Sequence, residues 1–388
     1  MSTFVTLAVS MHSGGVTGAR RASAGTRRSS SESICRTAAS SQIGTRGSIR
    51  SLSQTISSLT ARCGSSGNAR NRSVTTRAAP TSVTDDFAAA ASGEWEGHKV
   101  YFDEHGVPVQ IPDKYMPPAF KEWGQVLVDW QSQCAMKVTV DTGLYARELR
   151  FIPTAGCEAD SSTVETKWDR VVDVGNITPA TAACSSIALG SYSAGPSDLS
   201  AKGATSSDAT DFDILTIEHC LAFEDKPKPK KNETEAKRAR VRVQQHLQFD
   251  ADTKEFALKK LTAWKEFFYE PFNNAASLCA SCGGANTWGE FSVLPIETFV
   301  EGEWFGDVWG GFRDENVVLL PSGIYSKVTK TEKNELVLEA GWFVSDRDAS
   351  YQPPCREVET HLVSTRVYGA SGALSDVSFA KRERRVAR

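Results

Sequence analysis

The sequence lacks the features that define several common protein classes. It has no run of 18 apolar residues, so no segment is expected to span a membrane as a helix. It also has no phosphate-binding glycine loop, no dinucleotide fingerprint, no zinc-protease motif and no nucleophile elbow. Without a standard catalytic motif, no catalytic residue is assigned, and a binding protein is favoured over an enzyme.

Lysine and acidic residues are almost missing from the first 80 residues. This segment contains 11 arginines, no lysine and one acidic residue, Glu32, and is otherwise rich in serine, threonine, alanine and glycine. It has too few large apolar side chains to offset the entropy cost of folding. The composition predicts a disordered transit peptide of the plastid type over residues 1–80, cleaved between residues 63 and 90. A basic tail that binds nucleic acid is the alternative.

The chain that follows the predicted transit peptide is acidic. Without the 11 arginines and the one glutamate of residues 1–80, 33 basic and 46 acidic residues remain, a net charge of −13. An acidic protein is a poor nucleic-acid binder, because that affinity depends on neutralising phosphates. No apolar signal follows the transit segment, so the chloroplast stroma is the expected location. Peripheral attachment to the thylakoid is an alternative.

The nine cysteines do not form a recognisable framework. Seven of them lie beyond residue 80, an odd number with irregular spacing, which does not predict a set of disulfides. Cys279 and Cys282 form a single C-x-x-C pair in a run of small residues. A zinc site needs a second pair of ligands, which no nearby motif supplies, so no metal is predicted. Structural thiols are expected here, with redox regulation as the alternative.

One segment has helical periodicity. Phe120, Trp123, Leu127 and Trp130 follow one another at steps of three, four and three, which forms one apolar stripe. Two prolines precede the stripe, where a missing N–H costs a helix nothing. We therefore predict an amphipathic helix over residues 117–133 that packs on a core.

Most of the remaining chain alternates between apolar and polar residues. Residues 211–224, 239–250 and 255–268 have the period of two that is typical of half-buried antiparallel strands. Four further strand-like runs, separated by turns or loops, follow after residue 315. In residues 239–250 the apolar side chains are expected to face a core, and the arginines between them are typical of a solvated face.

The phrase Gly-Glu-Trp-x-Gly occurs twice, at residues 93–97 and 302–306. Each copy precedes a strand-rich segment, so the phrase is interpreted as a structural signature. Its glycines would give a tight backbone path and its tryptophan a plug for one end of a barrel. Trp95 and Trp304 are therefore expected to be buried at equivalent places, on the floors of two related units.

The doubled phrase predicts a mainly β fold with two antiparallel β-barrel units. The first unit is expected over residues 92–270 and the second over residues 300–388, with a linker over residues 271–299. Regular short strands favour closed barrels, because closure removes exposed sheet edges.

A Gly-x-Trp sequence before a run of strands resembles the lipocalins and the wider calycin group, in which the tryptophan packs across the closed end of a barrel. The end of the chain is similar to an uncharacterised calycin-like family of cyanobacteria and plastids, through Glu339-Ala-Gly-Trp342, Arg366-Val-Tyr368, Gly372 and Arg382-Glu-Arg384. The same broad group contains the bilin lyases. The resemblance covers residues 92–388 and implies two calycin-like or lipocalin-like barrels, the first elaborated by its proline-rich helical segment.

An eight-stranded barrel can hold one small ligand, and polar residues on its alternating strands would line the site. The candidate ligand-binding residues are His219, Arg242, His246, Glu339, Trp342, His361 and Arg366. Arginine suits a carboxylate, such as a fatty acid or a tetrapyrrole propionate. An ordinary solvated or core position is the alternative for each of them, and His219 lies in the apolar register of its strand.

Three functional hypotheses follow. The first is a stromal calycin-like protein that binds a hydrophobic or tetrapyrrole-like molecule, or that assists the assembly of a photosynthetic complex. The second is a bilin-lyase-type enzyme that handles a chromophore, and the third is a structural module for protein interactions. An open cavity lined by arginine and tryptophan would favour the first two. Barrels filled with phenylalanine, tryptophan and leucine would favour the third. The cofactor is left unknown.

Overall fold

The computed structural model describes residues 82–152, 166–180, 189–199, 214–225, 237–250, 252–276, 293–307, 309–312, 316–344 and 358–385. The predicted transit peptide, most of the predicted linker, and Cys279 and Cys282 lie outside these residues. All of the described residues belong to the same compact unit. Their structure is mainly β, which confirms the fold class predicted from the alternating pattern.

The described strands form two antiparallel sheets. The barrel sheet consists of β1 (Gly93–Asp103), β2 (Asp129–Thr139), β3 (Gly143–Phe151), β4 (Thr166–Val172), β5 (Ile177–Pro179), β6 (Tyr192–Ala194), β7 (Ile214–Asp225), β8 (Lys237–Asp250) and β9 (Glu255–Glu270). The second sheet consists of β10 (Phe305–Gly306), β11 (Val317–Leu320), β12 (Ile324–Lys330), β13 (Leu336–Val344), β14 (Val358–Tyr368) and β15 (Leu374–Arg385). The α-helices of the described residues are α1 (Asp85–Ala91), α2 (Pro118–Glu122) and α3 (Glu297–Val300). None of them is long and apolar enough to cross a membrane.

The barrel sheet is nearly closed. Its strands run in the order β4-β3-β2-β1-β9-β8-β7-β6-β5. The two edge strands, β4 and β5, follow each other in the chain and are joined only by residues 173–176, which include a 3₁₀ turn. Val172 and Ile177, on either side of this link, pack in the same apolar cluster. The short connection therefore brings the two edges of the sheet together.

Helix α1 covers one end of the barrel, which we call the closed end. The Thr84 hydroxyl caps the helix by accepting a hydrogen bond from the Phe87 N–H. Phe87 is buried in one apolar cluster with Trp95 and Tyr192, which point into the barrel from β1 and β6. We call the opposite end, where Tyr101 and Thr262 lie on neighbouring strands, the mouth.

The second sheet lies against the outer face of the barrel sheet. Its strands run in the order β10-β15-β14-β13-β12-β11, and it does not close on itself within the described ranges. Side chains that point out of the barrel, such as Val241 and Ala263, share one core with Trp342 and Leu362 of the second sheet. The structure therefore consists of one nearly closed barrel and one further sheet that share a core.

The two faces of β8 point in the directions opposite to those predicted. Val241 and Val243 face the second sheet, whereas Arg240 and Arg242 point into the barrel. Both arginines are 1% exposed, so neither face of this strand is solvated. The expectation of a solvated face was wrong, because a period of two shows that the faces of a strand differ and not which one lies inside.

The predicted helix over residues 117–133 is much shorter in the structure. Helix α2 covers only its first part, and Gly124 follows it with φ +64°, a left-handed conformation that ends the helix. Trp130 belongs to β2 instead, and Trp123 is exposed. The apolar stripe still identified some buried residues, because Leu127 and Trp130 pack in one cluster.

The two copies of Gly-Glu-Trp-x-Gly lie in different structural environments. Trp95 is buried within β1, whereas Trp304 is only half-buried and precedes the two-residue strand β10. The expected equivalence was wrong for Trp304, because it lies on the outer face of the second sheet. What the copies share is a pair of guanidinium groups over each indole ring. These lie 3.9 to 5.2 Å from the ring centres and belong to Arg238 and Arg240, and to Arg382 and Arg384.

The second glycine of each copy allows close contact with a neighbouring strand. A Cβ on Gly97 would lie 1.9 Å from the Lys265 carbonyl oxygen of β9. A Cβ on Gly306 would lie 2.5 Å from the Lys381 carbonyl oxygen of β15. Both strand pairs therefore need a glycine at this position. This need explains why the second glycine is present in both copies of the phrase.

Replacing Gly97 by alanine should destabilise the protein by about 2 kcal/mol or more, because the new methyl group collides with backbone rather than with a movable side chain. Urea unfolding followed by tryptophan fluorescence measures this change. The control is Gly175→Ala, where the added Cβ meets nothing within 4 Å and little change is expected. Equal stability of the two variants would contradict the close approach of β1 and β9.

Candidate functional site

Ion pairs fill the middle of the barrel interior. Arg240 donates from Nε to Glu266 Oε2 at 2.7 Å, and Arg242 donates to both oxygens of Glu266 at 2.9 and 2.7 Å. Burial alone would raise the pKa of the Glu266 carboxyl, but the two guanidinium groups outweigh burial and lower the pKa to about 2. Glu266 is therefore an anion at neutral pH and holds both arginines in place.

Glu148 extends this network towards the mouth. Its Oε1 accepts hydrogen bonds from Lys99 Nζ at 2.9 Å and from Trp264 Nε1 at 3.1 Å. Its Oε2 lies 3.9 Å from Arg242 Nη2. The Lys99 ammonium also lies over the rings of Trp168 and Trp264, at 4.4 and 4.6 Å from their centres. Lys99 is thus fixed in position by a carboxylate and two aromatic faces.

Glu218 joins strands on both sides of the gap between β4 and β5. Its carboxylate accepts two hydrogen bonds from Arg170 of β4, at 2.7 and 2.9 Å. It also accepts one from the Tyr192 hydroxyl of β6 at 2.5 Å and one from the Gln244 amide of β8 at 2.6 Å. Burial would raise the pKa of this carboxyl, but Arg170 and Arg242 lower it well below its usual range.

Above these ion pairs, the mouth of the barrel contains a pocket of about 280 Å³. This mouth pocket is lined by Lys99, Tyr101, Arg150, Trp168, Gln244, His246, Lys260 and Thr262. Three of these side chains are cationic and two carry aromatic rings in addition to the histidine, and no lining residue is a carboxylate. Glu148 and Glu218 lie outside the lining and are already bonded to Lys99 and Arg170. The pocket therefore offers positive charge and flat apolar surfaces.

Arg150 and Trp168 form one side of the mouth pocket. Arg150 donates from Nη1 to the Tyr101 hydroxyl at 2.8 Å, and its guanidinium lies over the rings of Trp130 and Trp168 at 4.4 and 5.0 Å. The Nε of Arg150 has no hydrogen-bond partner in the part of the chain that the structure describes. A guanidinium held by its face presents its N–H edge to an acceptor in the same plane.

His246 and Lys260 form the other side. Lys260 lies two residues before Thr262 in β9, on the same face of the strand, and therefore points into the mouth. The His246 ring lies between the hydroxyls of Thr216 and Thr262, at 3.1 Å from Nδ1 and 3.0 Å from Nε2. Burial, together with Lys260 and Lys99, lowers the pKa of His246 to about 4, so the ring is neutral near pH 7.

Of the seven predicted ligand-binding residues, His246 is the one that lines the mouth pocket. Arg242 lies deeper in the barrel, in its ion pair with Glu266. Arg366 lies between the two sheets, where its Nη2 donates to the backbone carbonyls of Gly195 and Pro196 at 2.8 and 3.0 Å. It therefore fixes the segment after β6 to the second sheet.

His219 also lies between the sheets, where its Nδ1 is 2.9 Å from Ser364 Oγ. Serine beside histidine is the arrangement of an activated nucleophile, but both side chains are 0% exposed. Burial, with Arg366 as a second cause, lowers the pKa of His219 to about 3. The pair is a core contact, which agrees with the alternative given for His219 from its register.

Glu339, Trp342 and His361 belong to the second sheet, away from the mouth pocket. Trp342 fills the shared core. Glu339 lies on the opposite face of β13, where it accepts hydrogen bonds from the Tyr325 hydroxyl at 2.8 Å and from Trp309 Nε1 at 3.1 Å. These bonds join the segment before β11 to the outer face of the sheet.

His361 lies inside an aromatic cluster on that outer face. Its ring centre is 4.9 Å from Trp309, 5.5 Å from Phe299 and 5.7 Å from Tyr325. Neither ring nitrogen has a hydrogen-bond partner in the described ranges. Burial, with Arg382 as a second cause, lowers the pKa of His361 to about 3. His361 is therefore a neutral member of an aromatic core.

The sequence interpretation missed Lys99, Arg150, Trp168 and Lys260. A signal was present for Lys99, because it lies four residues after Trp95 in one strand and therefore on the same face. The other three lacked such a signal. Arg150 and Trp168 lie on neighbouring strands across the mouth from Lys260, and the sequence does not show that these strands share a barrel.

A larger cleft of about 750 Å³ lies at the edge of the second sheet. It is lined by Glu301, Gly302, Glu303, Phe305, Glu359, Arg384 and Arg385. Arg384 is already engaged there, because it donates to the Glu359 carboxylate and to the Glu301 carbonyl oxygen. Mixed and paired charges would not select one class of ligand, so the mouth pocket is the candidate site.

Comparisons with known proteins identify no family for this chain. No protein-family model matches it, and no curated protein is similar to it in sequence. Among solved structures, it is similar to a protein of unknown function from the DUF3598 family of Nostoc punctiforme. The two are 17% identical, the match covers 78% of this chain and 100% of that chain, and the TM-score is 0.37. A similarity at this level carries no argument about activity.

Replacing Glu266 by glutamine should destabilise the protein by about 3 kcal/mol or more, because two buried guanidinium groups lose their counter-charge. Glu255→Gln is the control, since Glu255 pairs with Lys330 at an exposed site and its loss should cost less than about 1 kcal/mol. Chemical unfolding of both variants at neutral pH measures the difference. Similar losses in the two variants would contradict a structural role for the buried ion pairs.

Acid should destabilise the protein through its buried histidines. The folded-state pKa of His361 is about 3, below the usual value of 6.5, so the unfolded chain binds more protons between these two pH values. The free energy of unfolding should therefore fall as pH drops below about 6.5, by up to about 1.4 kcal/mol per pH unit for each such histidine.

His361→Phe tests this pH dependence directly. The variant keeps an aromatic ring in the cluster and removes two unpaired nitrogens, so its unfolding free energy should depend less steeply on pH between about 6 and about 4.5. The same substitution at His105, which is exposed and lies outside the aromatic cluster, is the control for the loss of a histidine as such. Urea unfolding across this pH range gives the slopes, and an unchanged slope in His361→Phe would contradict the assignment.

Proposed function

We propose that the protein binds a small organic acid with a planar apolar ring system in the mouth pocket. The lining of this pocket supports the proposal most directly, since it combines Lys99, Arg150 and Lys260 with the rings of Tyr101 and Trp168 and contains no carboxylate. Cationic side chains attract an acidic group, and aromatic faces pack against a planar ring. The volume of about 280 Å³ is near the lower limit of small-molecule sites, which start at about 300 Å³.

A hydrophobic or tetrapyrrole-like ligand is compatible with this proposal if its acidic end enters the pocket first. Tetrapyrroles such as bilins combine planar rings with propionate groups. Because the ion pairs of Glu266 fill the barrel below the pocket, such a ligand would enter with its acidic end. The remaining rings would stay at the mouth, where Trp168 and Tyr101 offer aromatic surfaces.

We also propose a calycin-like fold family and a chloroplast stromal location for the protein. The nearly closed antiparallel barrel and the burial of Trp95 at its closed end support the calycin-like assignment. The arginine-rich and acid-poor composition of residues 1–80 supports the location. In that compartment, a tetrapyrrole or fatty acid ligand would be compatible with a role in the assembly of a photosynthetic complex.

The two alternative functions have less support. A bilin-lyase-type reaction joins a chromophore to a thiol, whereas burial raises the thiol pKa of Cys134 to about 11 and that of Cys220 to about 12. Neither of these buried thiols suits the acceptor role, so such a reaction would need a thiol from outside the described residues or from another protein. A purely structural module predicts filled barrels, and a pocket lined by Arg150 and Trp168 favours ligand binding instead.

Lys260→Gln should weaken the binding of 2-naphthalenesulfonate by roughly five-fold or more, because it removes one cation from the pocket wall. Lys259→Gln is the matched control, since this neighbouring lysine is exposed and does not line the pocket. Isothermal titration calorimetry on the full chain measures both affinities. The uncharged 2-naphthalenesulfonamide should bind more weakly than the sulfonate to the unmodified protein.

The competing outcomes of this experiment are distinct. Equal affinity for the sulfonate and the sulfonamide would contradict recognition of an acidic group. Equal weakening by Lys260→Gln and Lys259→Gln would show a general charge effect and would place the site elsewhere. If neither naphthalene compound, oleate nor biliverdin binds, the proposed function is wrong and the structural alternative is favoured.

A further inference from the structure

We propose that binding of an anion in the mouth pocket is coupled to the uptake of one proton by His246. This inference rests on the proposed function, because it requires that the pocket binds an anion. It adds a regulatory property, namely that ligand affinity increases as pH falls. It also assigns His246 a specific role, which differs from the general lining role predicted from the sequence.

The position of the His246 ring suits both of its protonation states. Nδ1 faces the Thr216 hydroxyl of β7, and Nε2 faces the Thr262 hydroxyl of β9. A hydroxyl can accept or donate, so one threonine can donate to a neutral ring while the other accepts from it. Both threonines can accept from the protonated ring. Protonation therefore breaks no hydrogen bond and requires no movement of the ring.

Burial and the surrounding charges keep the His246 ring neutral in the absence of ligand. Burial opposes the protonated ring most, and Lys260 of β9 and Lys99 of β1 oppose it further, so the pKa of His246 is about 4. Glu218 of β7 is the carboxylate that favours protonation, and its oxygens are bonded to Arg170, Tyr192 and Gln244. The balance around the ring is therefore positive before an anion arrives.

An anion in the pocket would change this balance. It would lie near Lys260 and Lys99, which line the same pocket as His246, and would offset the repulsion that these two ammonium groups exert on the ring. The bound state would then favour the protonated ring more than the free state does. By linkage, the affinity for the anion rises as pH falls, by up to about ten-fold per pH unit between the two pKa values of His246.

Calorimetry with 2-naphthalenesulfonate tests this coupling, because a sulfonate stays ionised throughout the relevant range and any pH dependence belongs to the protein. Titrations of the full chain at about pH 5.5 and about pH 7.5 should show tighter binding at the lower pH. At the lower pH, titrations in two buffers with different ionisation enthalpies should reveal the uptake of up to one proton. His246→Gln keeps hydrogen-bonding groups near both threonines and should remove the dependence of sulfonate affinity on pH.

The outcomes separate this inference from the proposed function. Binding with the same affinity at both pH values and with no proton uptake overturns the coupling and leaves the proposed function intact. Proton uptake that persists in His246→Gln overturns the assignment to His246. Absence of sulfonate binding at both pH values overturns the coupling together with the proposed function. A direct check is the NMR titration of His246, whose midpoint should shift to higher pH when the sulfonate is added.

Discussion

The ion pairs that Glu266 forms with Arg240 and Arg242 inside the barrel are the interaction on which the rest of the structure depends. A buried charge is tolerated when it is paired and hydrogen-bonded, and these three side chains satisfy this condition across β8 and β9. Because the charged residues of β8 point inwards, Val241 and Val243 point outwards. An apolar outer face is unstable in water, and the second sheet covers it. The shared core is thus a consequence of a polar barrel interior.

The same ion pairs determine the form of the candidate site. They fill the middle of the barrel, and α1 covers one end, so the pocket found inside the described barrel lies at the mouth. Glu148 and Glu218 lie outside the pocket lining, where Glu148 is paired with Lys99, and Arg150 and Lys260 add further positive charge to the lining. A field of one sign in a small cleft attracts a ligand of the opposite sign. Lys99 and Lys260 contribute both to the positive charge of the pocket and, after burial, to the lowered pKa of His246.

The short motifs that attract attention in the sequence have structural explanations. In Glu339-Ala-Gly-Trp342, Glu339 is bonded on the outer face of β13 and Trp342 fills the shared core on the other. Gly341 leaves room for the ring of Tyr325, which would lie 2.0 Å from a Cβ at this position. The repeated Gly-Glu-Trp-x-Gly likewise combines a glycine that permits close strand contact with a tryptophan packed against two arginines. These motifs therefore mark places where strands and side chains pack closely. The candidate ligand site does not include them.

The sequence by itself determined the mainly β class, most long strands and their turns, because side-chain alternation and turn residues act over a few positions. It also predicted the strand that carries His246. It did not determine which face of β8 lies inside, since a period of two is the same for either choice. Only the tertiary structure decided this, because the inward face is the one where Arg240 meets Glu266, a residue 26 positions later in the chain. The mouth pocket likewise depends on tertiary structure. Strand pairing around the barrel brings Arg150, Trp168 and Lys260 together, and the sequence pattern does not show this pairing.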